Sequence, residues 1–354
     1  MILRSCYKRY RKDTHRALSP EETLENVEKR MPAAGITRVA DITNLDRIGI
    51  PVFSSMRPMA DSGAVSVYNG KGATPAEARV SAIMEGIERY SAEVRGRELT
   101  VSKFSSFGGD AIDPSELILP RGSDKDSEIP WVRGYDLLNK EEIMVPAAAV
   151  FHPLSGDFAR LFRTNTSGLA SGNMIEEAIF HGLSEVIERD AWSLVEHSKV
   201  MGPAIHNAAV SDEDGLAASM LRRFAQAEVD VRLLDITSDI EIPTIAAISD
   251  DVRLRDPALL TTGMGTHTSS RVAVLRALTE VAQSRLTQIH GAREDTSTAE
   301  MKRRIGYDRM KRFNKYWFEP SGNREFSQIE SVDSDDFLMD IKHMLSKIEK
   351  SGMQ

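Results

Sequence analysis

Cysteine is almost absent: Cys6 is the only one among 354 residues. A single thiol closes no internal disulfide and supplies no cysteine-based zinc site, which points to a reducing cytoplasm. Cys6 lies near one end with no base beside it in sequence, so no catalytic thiol is expected. Aromatic residues make up only 6%, so aliphatic side chains must supply most of the core. No apolar run approaches the ~20 residues of a membrane span, and the stretch 1–16 lacks the apolar segment of a secretory signal. Positive charge is not in excess. The formal net charge is −8, against the basic face that nucleic-acid binding requires. The basic residues of 1–16 (Arg4, Lys8, Arg9, Arg11, Lys12 and Arg16) read as a solvated arm, with phosphate contact as the alternative.

Several familiar motifs are missing too. There is no Gly-x-x-x-x-Gly-Lys-Ser/Thr phosphate loop and no Gly-x-Gly-x-x-Gly dinucleotide fingerprint. The eight histidines include no His-Glu-x-x-His, which argues against a zinc hydrolase. His181, one turn before Glu185, reads as structural. His267, inside a Gly-rich segment, is a candidate for substrate or phosphate contact.

What is present is a mixture of strands and helices without a strict βαβ rhythm, which predicts an α+β or irregular α/β fold in one catalytic unit over 1–354. Ser19-Pro20-Glu21-Glu22 has the grammar of a capping box with proline at the first helical position. Short β-branched runs at 36–42, 50–54 and 64–68 read as strands. A hairpin is expected over 129–151, with its turn at Asn139-Lys140-Glu141, and two further strands at 231–236 and 242–248. Helical periodicity covers 76–95, 174–198, 212–227, 270–290 and 334–350. The stretch 321–333 is the most loop-like.

The strongest signal is an internal repeat. Glu77-Ala78 and Glu85-Gly86-Ile87-Glu88-Arg89 recur as Glu177-Ala178 and Glu185-Val186-Ile187-Glu188-Arg189, one hundred positions later. A weaker third copy, Glu280-Val281-Ala282-Gln283, replaces the second Glu by Gln. The copies fall near 70–95, 167–192 and 263–290. Each follows a small-residue segment: Gly70-Lys71-Gly72-Ala73-Thr74-Pro75, then Ser167-Gly168 through Gly172-Asn173, then Gly263-Met264-Gly265-Thr266-His267-Thr268. Such segments read as loops that let backbone approach an anion at a helix start.

Helical spacing makes each copy one acidic face. Ser81, Glu85 and Glu88 follow i, i+4, i+7, and Glu177, Glu185 and Glu188 share a stripe. By itself a Glu-x-x-Glu is the ordinary mark of a solvated helix surface. Three copies at near-equal spacing argue instead for convergence. Like charges ~5 Å apart repel by roughly 3 kcal/mol per pair at an effective dielectric of ~20, so a converged cluster needs cations. Mg²⁺ takes only one or two carboxylates and completes its shell with water and phosphate oxygens. Five glutamates therefore point to more than one Mg²⁺ on a polyphosphate, with Lys71, Arg89 and Arg189 supplying further positive charge.

Together, Gly70-Lys71-Gly72 through Ser81-x-x-x-Glu85-x-x-Glu88-Arg89, Asn173-x-x-x-Glu177 with Ser184-Glu185-x-x-Glu188-Arg189, and Glu280-x-x-Gln283 resemble the three ATP-binding signatures of the YcaO family. The resemblance runs to about residue 296. The segments Ile36-Thr37-Arg38-Val39-Ala40-Asp41, Gly49-Ile50-Pro51-Val52 and Gly291-Ala292-Arg293-Glu294-Asp295 are similar to the archaeal, methanogen-type branch. The resemblance implies a YcaO-type fold and an ATP- and Mg²⁺-dependent ligase that phosphorylates a peptide-backbone amide oxygen. A nucleophile then displaces phosphate. It implies that Glu85, Glu88, Glu185, Glu188 and Glu280 face Mg²⁺ with Gln283 beside them as the catalytic set. Ser81, Arg89, Asn173, Glu177, Ser184, Arg189 and Lys71 would hold the nucleotide, and Lys12 and Ser19 join them through a looser match.

Departures from the family select among its reactions. Azoline-forming members typically end in a proline-rich tail, whereas this chain stops at Ser351-Gly352-Met353-Gln354 after an amphipathic helix. The resemblance then favours thioamide formation, a peptidyl thioglycine as in the methyl-coenzyme M reductase alpha subunit, alongside a TfuA-type partner. A homodimer is expected. Family chains usually continue into further strands, so a shortened C-terminus is expected as well. The alternatives are an azoline-forming cyclodehydratase acting on Cys, Ser or Thr peptides, and a non-catalytic ATP-binding scaffold for a sulfur-modification partner.

Overall fold

The computed structural model describes residues 1–154, 161–206 and 215–353. The chain opens with a small hairpin, β1 (Tyr10–Arg11) and β2 (His15–Arg16), and helix α1 (Pro20–Val27). Ser19 caps α1 with both bonds of a capping box, and Pro20 takes the position that needs no N–H. Strands β3 (Arg38–Asp41), β4 (Val52–Met56) and β5 (Val67–Lys71) form an antiparallel sheet. Helix α2 (Pro75–Ala92) packs across β4 and β5. Its start is set by a second capping box on Thr74.

A second three-stranded sheet holds β6 (Thr100–Ser102), β7 (Ile129–Asp136) and β8 (Glu141–Pro146). The expected hairpin is there, but its second strand stops at Pro146, and residues 147–149 form a 3₁₀ turn. Proline cannot donate to the ladder, so the strand ends where it stands. Helix α3 (Ile175–Ser198) follows, then β9 (Ala204–Ile205), α4 (Leu216–Gln226), β10 (Asp230–Asp235), β11 (Thr244–Asp250), β12 (Thr261–Thr266) and α5 (Ser270–His290). Of the helix expected over 212–227, residues 212–214 lie outside the described residues. Short helices α6 (Thr298–Ile305) and α7 (Tyr307–Phe313) come next, with β13 (Asn323–Arg324) and the closing helix α8 (Phe337–Lys350). Neither α6 nor α7 was expected from periodicity.

The largest sheet runs β12-β11-β10-β9-β13, antiparallel except for the β9–β13 pair. Strand β11 is buried along its whole length. Helix α5 lies along β12 and β11 and also touches β5, so it joins two sheets. Twelve of its residues are buried, chiefly Val, Leu and Ala, and each fully buried Val or Leu contributes about 1.5–3 kcal/mol.

Two expectations change here. As far as Thr266 the third Gly-rich segment is not a loop but part of the buried strand β12. A Cβ on Gly263 or Gly265 would strike the carbonyl oxygen of Ala277 or Ala273 on α5. These glycines let helix and strand backbones touch, and Gly70 does the same for α2 against β5. The N-terminal stretch is a solvated arm only in part: Arg4, Arg9, Arg11 and Lys12 are exposed, but the chain is anchored. Lys8 and His15 are buried, and Lys8 Nζ lies 2.5 Å from Asp340 Oδ2 on α8. Among the described residues no helix is long and apolar enough to cross a membrane.

Candidate functional site

Helices α2, α3 and α5 line one cavity of about 700 Å³. Capping fixes the start of α2, a buried stripe of Ala78, Ala82 and Ile83 sets its rotation, and the opposite stripe then faces the cavity. Glu85, Glu88, Glu185, Glu188, Glu280 and Gln283 all lie on its wall, with Lys71, Ser81, Arg89, Asn173, Glu177 and Arg189.

The contacts are specific. Lys71 Nζ lies 2.5 Å from Glu280 Oε2 and 3.1 Å from Gln283 Oε1. The Gln283 side chain also donates to the carbonyl of Asn69, which ties α5 to β5. Glu188 Oε2 accepts from the Thr266 amide at 2.9 Å, and Glu88 Oε2 from Ser171 Oγ at 3.0 Å. Arg89 approaches Glu85 at 3.4 Å and Arg189 approaches Glu185 at 3.7 Å, each one turn apart. Asn173 Nδ2 lies 3.4 Å from Glu177 Oε2, and Glu177 also accepts from the Ala17 amide at 3.1 Å.

Three expected residues lie apart from the cavity lining. Ser184 is buried and its hydroxyl donates to the Phe180 carbonyl within α3. Ser19 is occupied as the α1 cap, and Lys12 is exposed, its ammonium 6.0 Å from the Tyr10 ring. His267 is fully buried behind the wall, where Nδ1 accepts from the Ser269 amide at 2.9 Å. Cys6 is buried and its thiol is pushed up to about 11, burial being the main cause. Sequence reasoning singled out neither Ser171 nor Arg276, which also line the cavity, and for Arg16, a third, it held phosphate contact only as the alternative to a solvated arm. Arg16 Nη1 lies 3.5 Å from Glu177 Oε1. Arg276, one turn before Glu280 on the same face of α5, was legible from spacing alone.

Of the five glutamates, Glu88 and Glu188 have no ion pair among the described residues. Burial pushes the Glu88 carboxyl up to about 8; Arg89 opposes the shift and Glu85 adds to it. Burial also raises Glu185 and Glu188, the latter with help from Glu280. Burial would raise Glu280 as well, but the Lys71 ammonium overrides it and holds the group below its usual range. Among the described residues no three His, Cys, Asp or Glu side chains converge closely enough to hold a metal unaided. That donor set fits Mg²⁺, which takes few carboxylates and completes its octahedron with water and phosphate oxygens. An incoming cation would also favour the ionised form of these carboxyls, against the effect of burial.

Fold and site thus define an α+β protein with a strongly charged cavity between three helices. The comparisons name the class more closely. Residues 69–354 match the family model described as YcaO cyclodehydratase, ATP- and Mg²⁺-binding. The chain belongs to the YcaO family, whose cofactors are ATP and Mg²⁺. The structure of YcaO from Methanopyrus kandleri bound with AMPPCP and Mg²⁺ is similar at TM-score 0.79 and 30% identity, over 98% of this chain and 87% of that one. An uncharacterized protein of Methanothermobacter thermautotrophicus is 50% identical over 96% of this chain and 88% of its own length. A protein in the tfuA 3′ region of Rhizobium leguminosarum bv. trifolii is 35% identical over 80% of this chain and 69% of its own.

Proposed function

We propose that the protein uses ATP and Mg²⁺ to activate a peptide-backbone amide, which a sulfide source then converts into a thioamide. The observation that carries this reading is the gathering on one cavity of Lys71 and Arg89 with five glutamates, two of which, Glu88 and Glu188, have no ion pair among the described residues. Bound Mg²⁺ would bridge and neutralise phosphate oxygens. Glu85, Glu88, Glu185, Glu188 and Glu280 are the residues suited to hold it, with Gln283 orienting Lys71 beside them. Ser81, Asn173 and Glu177 bind the nucleotide, and Arg89 and Arg189 draw charge from its phosphates.

The amide oxygen attacks the γ-phosphorus and ADP departs. Hydrosulfide adds to the activated carbon, the C–O bond breaks, and the oxygen leaves with phosphate. Loss of the sulfur-borne proton completes the thioamide. Phosphoryl transfer depends on positioning and charge neutralisation, so the residues above need form no covalent bond.

The thioamide outcome, a thioglycine of the methyl-coenzyme M reductase alpha subunit made with a TfuA-type partner, is supported by the methanogen relative and by the relative in a tfuA 3′ region. A second reading, azoline formation on Cys, Ser or Thr, is favoured by the family's description as cyclodehydratases. Mass spectrometry of a glycine-containing peptide treated with the protein, ATP, Mg²⁺ and sulfide, with and without a partner, tests both. A gain of sulfur minus oxygen is the expected result. Loss of one water assigns cyclisation instead, and ATP binding without phosphate release assigns a scaffold.

A further inference from the structure

The cavity does not end at the glutamates. Along α5 its wall continues from Glu280 and Gln283 to Ser284, Thr287 and Gln288, one stripe of the helix. The helix advances about 12 Å from Glu280 to Gln288, so the far lobe, around Gln288, lies two turns beyond the Lys71–Glu280 pair. Helix α6 packs on the turn Pro257–Leu259 and closes this lobe with Lys302. Here the wall carries Ser284, Thr287, Gln288 and Lys302, and no carboxylate acts on the Lys302 ammonium.

Two groups there lack the partners that buried polar groups normally have. Gln288 Oε1 is buried with no hydrogen-bond partner among the described residues. Lys302 stands in a run of three cations. Arg303 pairs with Asp256 at 3.0 Å and Arg304 with Glu300 at 2.6 Å. Lys302 alone of the three faces the cavity, and its ammonium has no ion pair or hydrogen bond among the described residues. Burial is the one influence on its titration, and it works against the charge. An anion seated beside it would offset that desolvation.

We propose that Lys302 holds the anionic nucleophile, hydrosulfide, at the far lobe while the nucleotide occupies the carboxylate end. The inference rests on the amide-activation reading above. Lys302 acts as a point charge and keeps its proton. The C–S bond forms on the face of the activated carbon turned toward α6, and the C–O bond breaks toward the phosphate. An acidic side chain of the peptide presents the same negative charge, so the test must separate the two sources.

Steady-state kinetics of Lys302→Met and Lys302→Arg, with sodium sulfide and peptide varied in turn, supply that separation. Lys302→Met should raise the KM for sulfide at least tenfold, leave the KM for peptide within twofold, and retain the wild-type thermal midpoint. Lys302→Arg, which keeps the charge, should recover most of the loss. An unchanged sulfide KM in Lys302→Met overturns the proposal. A raised peptide KM with unchanged sulfide KM also overturns it and gives the charge to the peptide. Wild-type protein that shows no peptide-dependent ADP release would instead overturn the amide-activation reading, a failure distinct from either.

Discussion

Two regions of this molecule bury charge in opposite ways. Behind α3, Lys8 and Asp340 are 0% and 1% exposed and 2.5 Å apart. Asp340 also accepts from Thr268 Oγ1 at 2.6 Å and from the amide and hydroxyl of Ser334 at 2.8 and 2.6 Å. His15 Nδ1 lies 3.3 Å from Lys8 Nζ, and burial, then Lys8, press its titration down to about 2, so it is neutral. That network is complete. In front of α3, Glu88 and Glu188 each take one hydrogen bond, from Ser171 and from the Thr266 amide, and neither has a basic side chain in ion-pair range among the described residues. Completed charge clusters lock the N-terminal hairpin to α8. Incomplete ones are where the proposed ligand would bring its charge.

The sharpest way to break the comparison is to neutralise one carboxylate in each region. Glu188→Gln should lower peptide-dependent ATP turnover by about 10³-fold, the scale of losing a preorganised electrostatic contact. Its thermal midpoint should hold or rise, because a poorly compensated buried acid has been removed. Asp340→Ala should do the reverse, destabilising the protein by about 3–5 kcal/mol by leaving Lys8 buried and unpaired. Chemical denaturation and ATPase assays on both variants check this. A strongly destabilised Glu188→Gln would show that the carboxylate is structural.

The two regions should also divide the pH profile of stability. Glu88 titrates near 8 in the fold against 4.5 in the unfolded chain, so its contribution is intact below pH 4.5 and lost as pH rises towards 8. After solvent screening the loss is about 2 kcal/mol. His15, His181 and His267 are all held below 6.5, burial being the first cause. Their contribution is intact above pH 6.5 and lost as pH falls below it. Thermal melts of the ligand-free protein should therefore weaken on both sides of a maximum near pH 6–7. Adding Mg²⁺ and a non-hydrolysable ATP analogue should flatten the alkaline side and leave the slope of the acid side unchanged. An alkaline side indifferent to nucleotide would disconnect the Glu88 shift from binding.

The regions differ, too, in how legible they were. The acidic faces could be read because helical spacing is local: Glu85 and Glu88 must share a stripe with Ser81 whatever else the chain does. Capping at Ser19 set a helix start for the same reason. The closed network could not be read, since Lys8 meets Asp340 only when the two ends of the chain come together. Nor could the strand character of 261–266. Gly263 and Gly265 carry the composition of a loop, and their need for close packing against Ala277 and Ala273 exists only in the fold. Lys302 reads as one more cation in a basic run until α6 turns it toward the cavity. Repetition thus exposed the carboxylate end of the site, while the far lobe, built from unrepeated residues, left no pattern.

The smallest expected effect concerns the hydroxyl that partly completes the open region. Ser171 Oγ donates to Glu88 at 3.0 Å, and that bond favours the ionised carboxyl against the stronger effect of burial. Ser171→Ala removes one such bond, worth about 0.5–1.5 kcal/mol, so MgATP affinity measured by calorimetry should fall about two- to tenfold. Ser171→Thr should restore it, because the hydroxyl is kept. The thermal midpoint should move little, since Ser171 is only half-buried and sits in a loop. An affinity unchanged in Ser171→Ala would mean that the incoming cation alone sets the charge on Glu88. The open region would then be completed by its ligand with no help from the loop that precedes α3.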